Sequence, residues 1–201
     1  MINFLHHGIY PDFEYNDAIE TYGYPYRFDP ESEKISASTE SVLDEIVRRF
    51  SVQPWTHLKW YLLGKPVSFW SWRIIQGQGD IFVYAVSQSP YFKNEVFQWS
   101  RELMRDLHWP IVILGLFGAL IAWLPCRLTD SGQNCSMVAR WCSLLLGYYV
   151  LIHMIGAPFP RYSVPLRPYL YGMAMLPFAR ADYYLRLFFH RIVGDAKNSG
   201  L

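Results

Sequence analysis

Phe159-Pro160-Arg161-Tyr162-Ser163-Val164-Pro165-Leu166-Arg167-Pro168 sets three prolines and two arginines between two apolar runs. Proline has no backbone donor and turns its predecessor away from the helical region, so the stretch reads as a break between helices. An arginine beside hydrocarbon is costly unless an anion, an aqueous vestibule or a path to the surface accommodates it. The residue types therefore suggest either ordinary snorkelling at a membrane surface or the rim of a lipid-phosphate site.

Working outward, Trp109 to Cys126 carries no charged residue, and Trp141 to Pro160 carries none apart from His153. Both runs are long enough to cross a hydrocarbon core of about 30 Å as helices. A third run, about 164–180, is shorter and is bracketed by Arg167 and Arg180. It either spans, with its arginines snorkelling, or is re-entrant; the spanning reading is preferred. The expected membrane region is thus 109–201, with spans at about 109–126, 141–158 and 164–180 and a basic tail.

Hydrophobic residues make up 52% and aromatics 18% of the 201 residues, more than an ordinary globular core requires. The net charge of +1 hides a division. Residues 1–108 hold ten Lys/Arg against fourteen Asp/Glu, and 109–201 hold eight against three. No concentrated basic face suggests nucleic acid as a partner. Arg127, Arg140, Arg180, Arg186, Arg191 and Lys197 are expected on the cytoplasmic side by the positive-inside tendency, which puts 1–108 and the 159–168 break on the outer side. Cys126, Cys135 and Cys142 all fall in or beside the cytoplasmic loop, as reduced thiols should.

Residues 1–36 are rich in Tyr, Pro, Asp and Glu and read as extended chain and turns, with no basic stretch and apolar run of a secretory signal behind Met1. Val42, Ile46, Val47 and Phe50 recur at helical spacing, with Ser41 and Asp44 as capping candidates and Arg48 and Arg49 near the far end. A second helix is expected from Pro54 to Leu63, stopped by Gly64 and Pro66. Beyond it, Trp70 and Trp72 share a face if the chain is extended, Gly77 and Gly79 suit a turn, and Ile81 to Val86 reads as a short strand. Lys65, Trp70, Trp72, Arg73 and Asp80 then form an interfacial loop toward anionic headgroups, the plain alternative being aromatic packing around a glycine turn. Residues 91–108 suit an amphipathic juxtamembrane helix anchored by Trp99 and Trp109. The expected fold is mainly α, with membrane helices preceded by a small mixed α/β outer region.

Arg161-Tyr162 followed by Pro165 and Pro168, opening a late membrane helix, resembles the arginine-tyrosine-proline element of polytopic C-type membrane glycosyltransferases. These are the protein mannosyltransferase and aminoarabinose transferase relatives, which use polyprenyl- or dolichyl-phosphate-linked sugars. Trp60-Tyr61-Leu62-Leu63-Gly64-Lys65-Pro66, Trp70-Ser71-Trp72 and Gln76-Gly77-Gln78-Gly79-Asp80 are similar to an outer loop of bacterial members, so the resemblance covers about residues 55–180. It implies an inverting transfer in which a lipid phosphate leaves a sugar as an acceptor hydroxyl attacks. Arg161 and Arg167, with Tyr162 and Lys65, would then hold the phosphate, a task suited to a permanently charged, forked guanidinium.

The departures are informative. Relatives carry a catalytic acidic residue in a first outer loop behind an amino-terminal membrane helix, and often an acidic residue before the arginine-tyrosine pair, where this chain has Pro160. The catalytic residue is expected to lie outside the chain; Asp12, Glu14, Asp17 and Asp80 have no spacing that singles one out. The expectation is therefore a truncated carboxy-terminal portion of such an enzyme in a bacterial inner membrane, with 1–108 periplasmic. Its expected partners are membrane lipid, a polyprenyl-phosphate sugar, and the missing amino-terminal membrane portion or a partner subunit. The alternative is a non-catalytic membrane protein whose outer aromatic region binds a partner protein or headgroups. No cofactor is expected. His6 and His7 with Asp12 and Glu14 are the one arrangement that suggests a divalent metal, and solvated side chains are the simpler reading.

Overall fold

The structure, a computed structural model, describes residues 2–11, 25–72, 88–124 and 132–186, with side chains from 137 onward in the last stretch. Helices are α1 (Ile2–Gly8), α2 (Ser32–Ile35), α3 (Thr39–Val52), α4 (Pro54–Lys59), α5 (Lys65–Phe69), α6 (Pro90–Lys93), α7 (Glu95–Ile121), α8 (Gly132–Ile155) and α9 (Arg167–Ala174). A further helix covers 176–186, and a 3₁₀ turn covers Pro160–Leu166. Among the described residues there is no strand, so the mixed α/β outer region is replaced by a helical one. The expected strand at 81–86 and the Gly77/Gly79 turn lie outside the described residues, as do Arg73, Asp80, Asp12, Glu14 and Asp17.

The chain divides into two compact units, Met1–Arg105 with Tyr148–Pro165, and Asp106–Gly147 with Leu166–Leu201. The first has a core of Ile9, Tyr10, Tyr26, Val42, Trp60 and Phe159, with Phe4, Leu5 and Tyr61 packed around it. α1 departs from the extended reading of residues 1–36; its face is fixed by packing rather than by periodicity, because seven residues hold too few repeats to show one. At its end Gly8 meets the Gly156 backbone so closely that a Cβ would strike the Gly156 carbonyl. Helix α3 forms where expected, but its cap is Ser38, whose Oγ accepts from the Ser41 N–H at 3.0 Å. The helical run that opens with α4 does not stop at Gly64. A π turn, Trp60–Gly64, carries the chain into α5, where Pro66 sits in the first turn and needs no donor.

The second unit contains the charge-free part of α7, the first part of α8, α9 and 176–186. α7 and α8 are long and apolar enough to cross a membrane. α7 joins most of the expected juxtamembrane helix to the expected first span in one helix from Glu95 to Ile121, with Pro110 inside it, while Pro90–Lys93 forms the separate α6, set off by an extended Asn94. Ile113, Phe117, Leu120, Trp141 and Leu144 are exposed, a surface that suits lipid better than water. Small residues admit close backbone approach, since a Cβ on Gly118 would meet the Met173 carbonyl and one on Gly115 the Leu170 carbonyl. The third apolar run is not one helix: α9 ends at Ala174, Met175 forms a turn, and a new helix begins at 176. Pro177 explains the break, because it has no N–H for the carbonyl four residues back.

Arg140 donates to the Ala122 carbonyl at 3.3 Å and Arg180 to the Leu124 carbonyl at 3.0 Å. Both guanidiniums thus satisfy carbonyls just beyond the end of α7, where the helix dipole is negative. Two of the basic residues grouped by the positive-inside tendency meet at one end of the same helix.

Candidate functional site

The first unit brings Arg161, Tyr162 and Lys65 onto elements around the end of α8, whereas Arg167 belongs to the second unit. Arg161 lies on the 3₁₀ turn that follows α8. The turn is closed by Ser163 Oγ, which donates to the Pro160 carbonyl at 2.7 Å, and by the Tyr162 N–H, which donates to the Phe159 carbonyl. Proline at 160 and 165 favours this compact turn over a continued α-helix. The Arg161 side chain is exposed, with its guanidinium carbon 4.8 Å from the Phe159 ring centroid and 5.3 Å from that of Tyr162. Two aromatic neighbours orient the cation without neutralising it. Among the described residues no carboxylate pairs with it.

Lys65 is placed differently. Its side chain is 0% exposed, and its Nζ donates to the Met154 carbonyl at 2.9 Å and the Ile155 carbonyl at 3.2 Å while lying 3.4 Å from the Tyr61 ring centroid. Two of its three hydrogens are therefore committed to the end of α8. Burial pulls the ammonium down to about 7, while the helix-end carbonyls favour the charged form. Trp70 is 1% exposed and packs edge-on against Phe69, so the extended arrangement with Trp72 at a wet boundary does not form at this residue. Trp72 is half-buried. Arg167 is 9% exposed, at the start of α9.

Beside the turn lies a cluster the sequence did not announce. His7 stacks on Tyr26 with ring centroids 3.7 Å apart and meets Phe159 edge-on. Burial, then the neighbouring His6 and Arg27, hold His7 neutral, down to about 4. Tyr10 donates its hydroxyl hydrogen to Asp29 at 2.7 Å, and His6 Nε2 lies 3.3 Å from the same oxygen. Because the Tyr10 hydrogen is used, a bond between the two requires His6 Nε2 to carry its own. Burial pushes the Asp29 carboxyl up, but Tyr10, the Glu31 N–H and Arg49 outweigh it and leave the group below its ordinary value. Arg49 bridges Asp29 and Glu45, and Arg48 also grips Glu45, whose carboxyl is held down at about 2 chiefly by Arg48. These carboxylates are committed to partners and are weak bases.

His153 stands on the last turn of α8. Its Nδ1 is 2.8 Å from the Tyr149 carbonyl, and its ring lies against Phe69 at 4.5 Å, Phe4 at 5.6 Å and Tyr162 at 5.3 Å. A lone imidazole in an otherwise uncharged span is expected to bond to a neighbouring helix rather than to relay a proton, but the partner here, Tyr149, is on the same helix. Among the described residues no group of three or more His, Cys, Asp and Glu is arranged to hold a metal. Asp12 and Glu14, expected beside His6 and His7 in that role, lie outside the described residues.

Comparison with protein-family models, curated proteins and solved structures gave no match for this chain. The site is therefore read from its own residues.

Proposed function

We propose that this chain binds the phosphate of a polyprenyl-phosphate-linked sugar at the outer surface of a bacterial inner membrane, as part of a glycosyl-transfer machinery. The observation that carries the reading is the exposed Arg161 guanidinium, lying against Phe159 and Tyr162 on the turn that ends an apolar helix. A phosphate accepts a forked pair of hydrogen bonds from such a group, and Tyr162 adds a hydroxyl at headgroup depth. Departing phosphate is the species whose developing charge needs stabilising in this reaction, and a fixed cation does that. Lys65 supports the site from behind by closing the end of α8. Transfer as the reaction rests on the similarity of the 159–168 and 60–80 stretches to C-type glycosyltransferases.

Photo-crosslinking tests this with a benzophenone-bearing polyprenyl phosphate and the full chain in membranes. Labelling is expected near residues 159–168 and falls about tenfold in Arg161→Ala, the loss of one charge-assisted contact. Equal labelling of both proteins overturns the reading.

A second reading draws on a separate feature. Val47, Val52, Trp55, Leu62, Leu63 and Val67 are all more than half exposed in the first unit, with Trp55 at 80%. An apolar surface of that kind suits a partner protein or a lipid surface, as a non-catalytic membrane protein would require. Under that reading, Trp55→Ser abolishes co-purification of a partner while Arg161→Ala leaves lipid labelling unchanged.

A further inference from the structure

Resting on the lipid-phosphate reading above, we propose that His153 is the group that takes the proton from the attacking acceptor hydroxyl, the task for which this chain has no poised carboxylate among its described residues. A carbonyl oxygen only accepts, so the 2.8 Å contact with the Tyr149 carbonyl places the imidazole hydrogen on Nδ1. The lone pair of the neutral ring is then on Nε2, which has no hydrogen-bond partner among the described residues. This is the reverse of His6, where the bond to Tyr10 requires the hydrogen on Nε2.

The ring is also held in place. Phe69 stacks on it at 4.5 Å and 30°, and Phe4 meets it edge-on at 5.6 Å and 88°. Tyr162 approaches at 5.3 Å, and that same Tyr162 ring lies beside the Arg161 guanidinium. A base with a fixed tautomer and the phosphate-holding cation thus flank one tyrosine. His153 is 7% exposed, so an edge of the residue stays open while most of it is enclosed by aromatic carbon. The orienting contact through Nδ1 with Nε2 left to react is the arrangement general-base catalysis by histidine requires.

In the step itself, the acceptor oxygen bonds to the anomeric carbon and its hydrogen passes to His153 Nε2. The bond from that carbon to the phosphate oxygen breaks, and its electron pair leaves on the phosphate held by Arg161. The imidazolium returns the added proton to water.

Diethyl pyrocarbonate acylates an unprotonated imidazole nitrogen and so reports on the Nε2 lone pair directly. With the full chain in membranes, His153 is expected to form the adduct, read by mass spectrometry. Polyprenyl phosphate at about ten times its Kd is expected to slow adduct formation about tenfold. In His153→Asn the side-chain amide still donates to the Tyr149 carbonyl, so this variant is expected to bind polyprenyl phosphate within about threefold of wild type, a difference near RT in free energy. Absence of the adduct, an adduct rate unchanged by bound lipid, or loss of lipid binding in His153→Asn overturns the assignment while the lipid site stands. Failure of wild type to bind polyprenyl phosphate removes the lipid-phosphate reading itself, and the base with it.

Discussion

The unit made of residues 1–105 and 148–165 combines the Gly8–Gly156 backbone approach with an ion-pair network, whereas in the unit made of 106–147 and 166–201 Arg140 and Arg180 donate to main-chain carbonyls and backbones meet at small residues. In the first, Arg49 joins Asp29 to Glu45, Trp60 Nε1 donates to the Gly8 carbonyl at 3.0 Å, and Lys65 closes the end of α8. In the second, Gly115 and Gly118 take backbone contact from Leu170 and Met173, and Ser143 Oγ donates to the Ala119 carbonyl. Where water reaches the chain, apolar burial drives folding and charges can be matched; beside lipid tails that drive vanishes, and close packing with interhelical hydrogen bonds replaces it. Arg161 lies in the first unit and its side chain is exposed.

The contrast is broken most severely at Gly118. Gly118→Leu sets a side chain against the Met173 backbone and is expected to cost about 3 kcal/mol or more, seen as a lowered unfolding midpoint in detergent. An unchanged midpoint would mean that small residues do not hold the second unit. Next comes Lys65→Met, which leaves the Met154 and Ile155 carbonyls without their donor and is expected to cost about 2 kcal/mol. Because burial lowers Lys65 from 10.5 to about 7, the unfolded chain binds the extra proton between those values, so wild-type stability should rise with pH from about 7 toward 10.5. That rise is expected to be missing in Lys65→Met.

Acid sharpens the same comparison. The Glu45 carboxyl is depressed from 4.5 to about 2, so its contribution is complete above pH 4.5 and is lost as pH falls through about 2. Glu45→Gln should flatten the acid side of the stability profile over that window, with Arg48 and Arg49 left in place. The smallest effect is expected at Asp182, whose contact with Arg186 at 2.9 Å joins two exposed side chains. Asp182→Asn should change stability by less than about 0.5 kcal/mol.

The elements that were legible are those in which one local rule dominates. Charge-free length marked the two long apolar helices, and helical spacing marked Thr39–Val52. What escaped the sequence depended on distant partners. Lys65 beside a proline reads as exposed, and only the end of a helix some ninety residues away explains its burial. Trp70 read as interfacial for the same reason, since its enclosure is tertiary. Pro177 is visible in the sequence, but the apolar character of its run outweighs it, so the break at Met175 shows only in the structure. In the site, Arg161 and Tyr162 were marked by their proline-rich setting and do lie on a turn at a helix end. The role drawn for His153 comes from contacts with Phe4 and Phe69, which no local pattern encodes.

The two arginines of the 159–168 stretch give the most direct test. One is exposed in the first unit and the other buried in the second. Polyprenyl-phosphate affinity and unfolding midpoint, measured on the same nanodisc samples of wild type, Arg161→Ala and Arg167→Ala, separate binding from packing. The account predicts about a tenfold loss of affinity with an unchanged midpoint for Arg161→Ala, and a lowered midpoint for Arg167→Ala. Wild-type affinity in Arg161→Ala would contradict it.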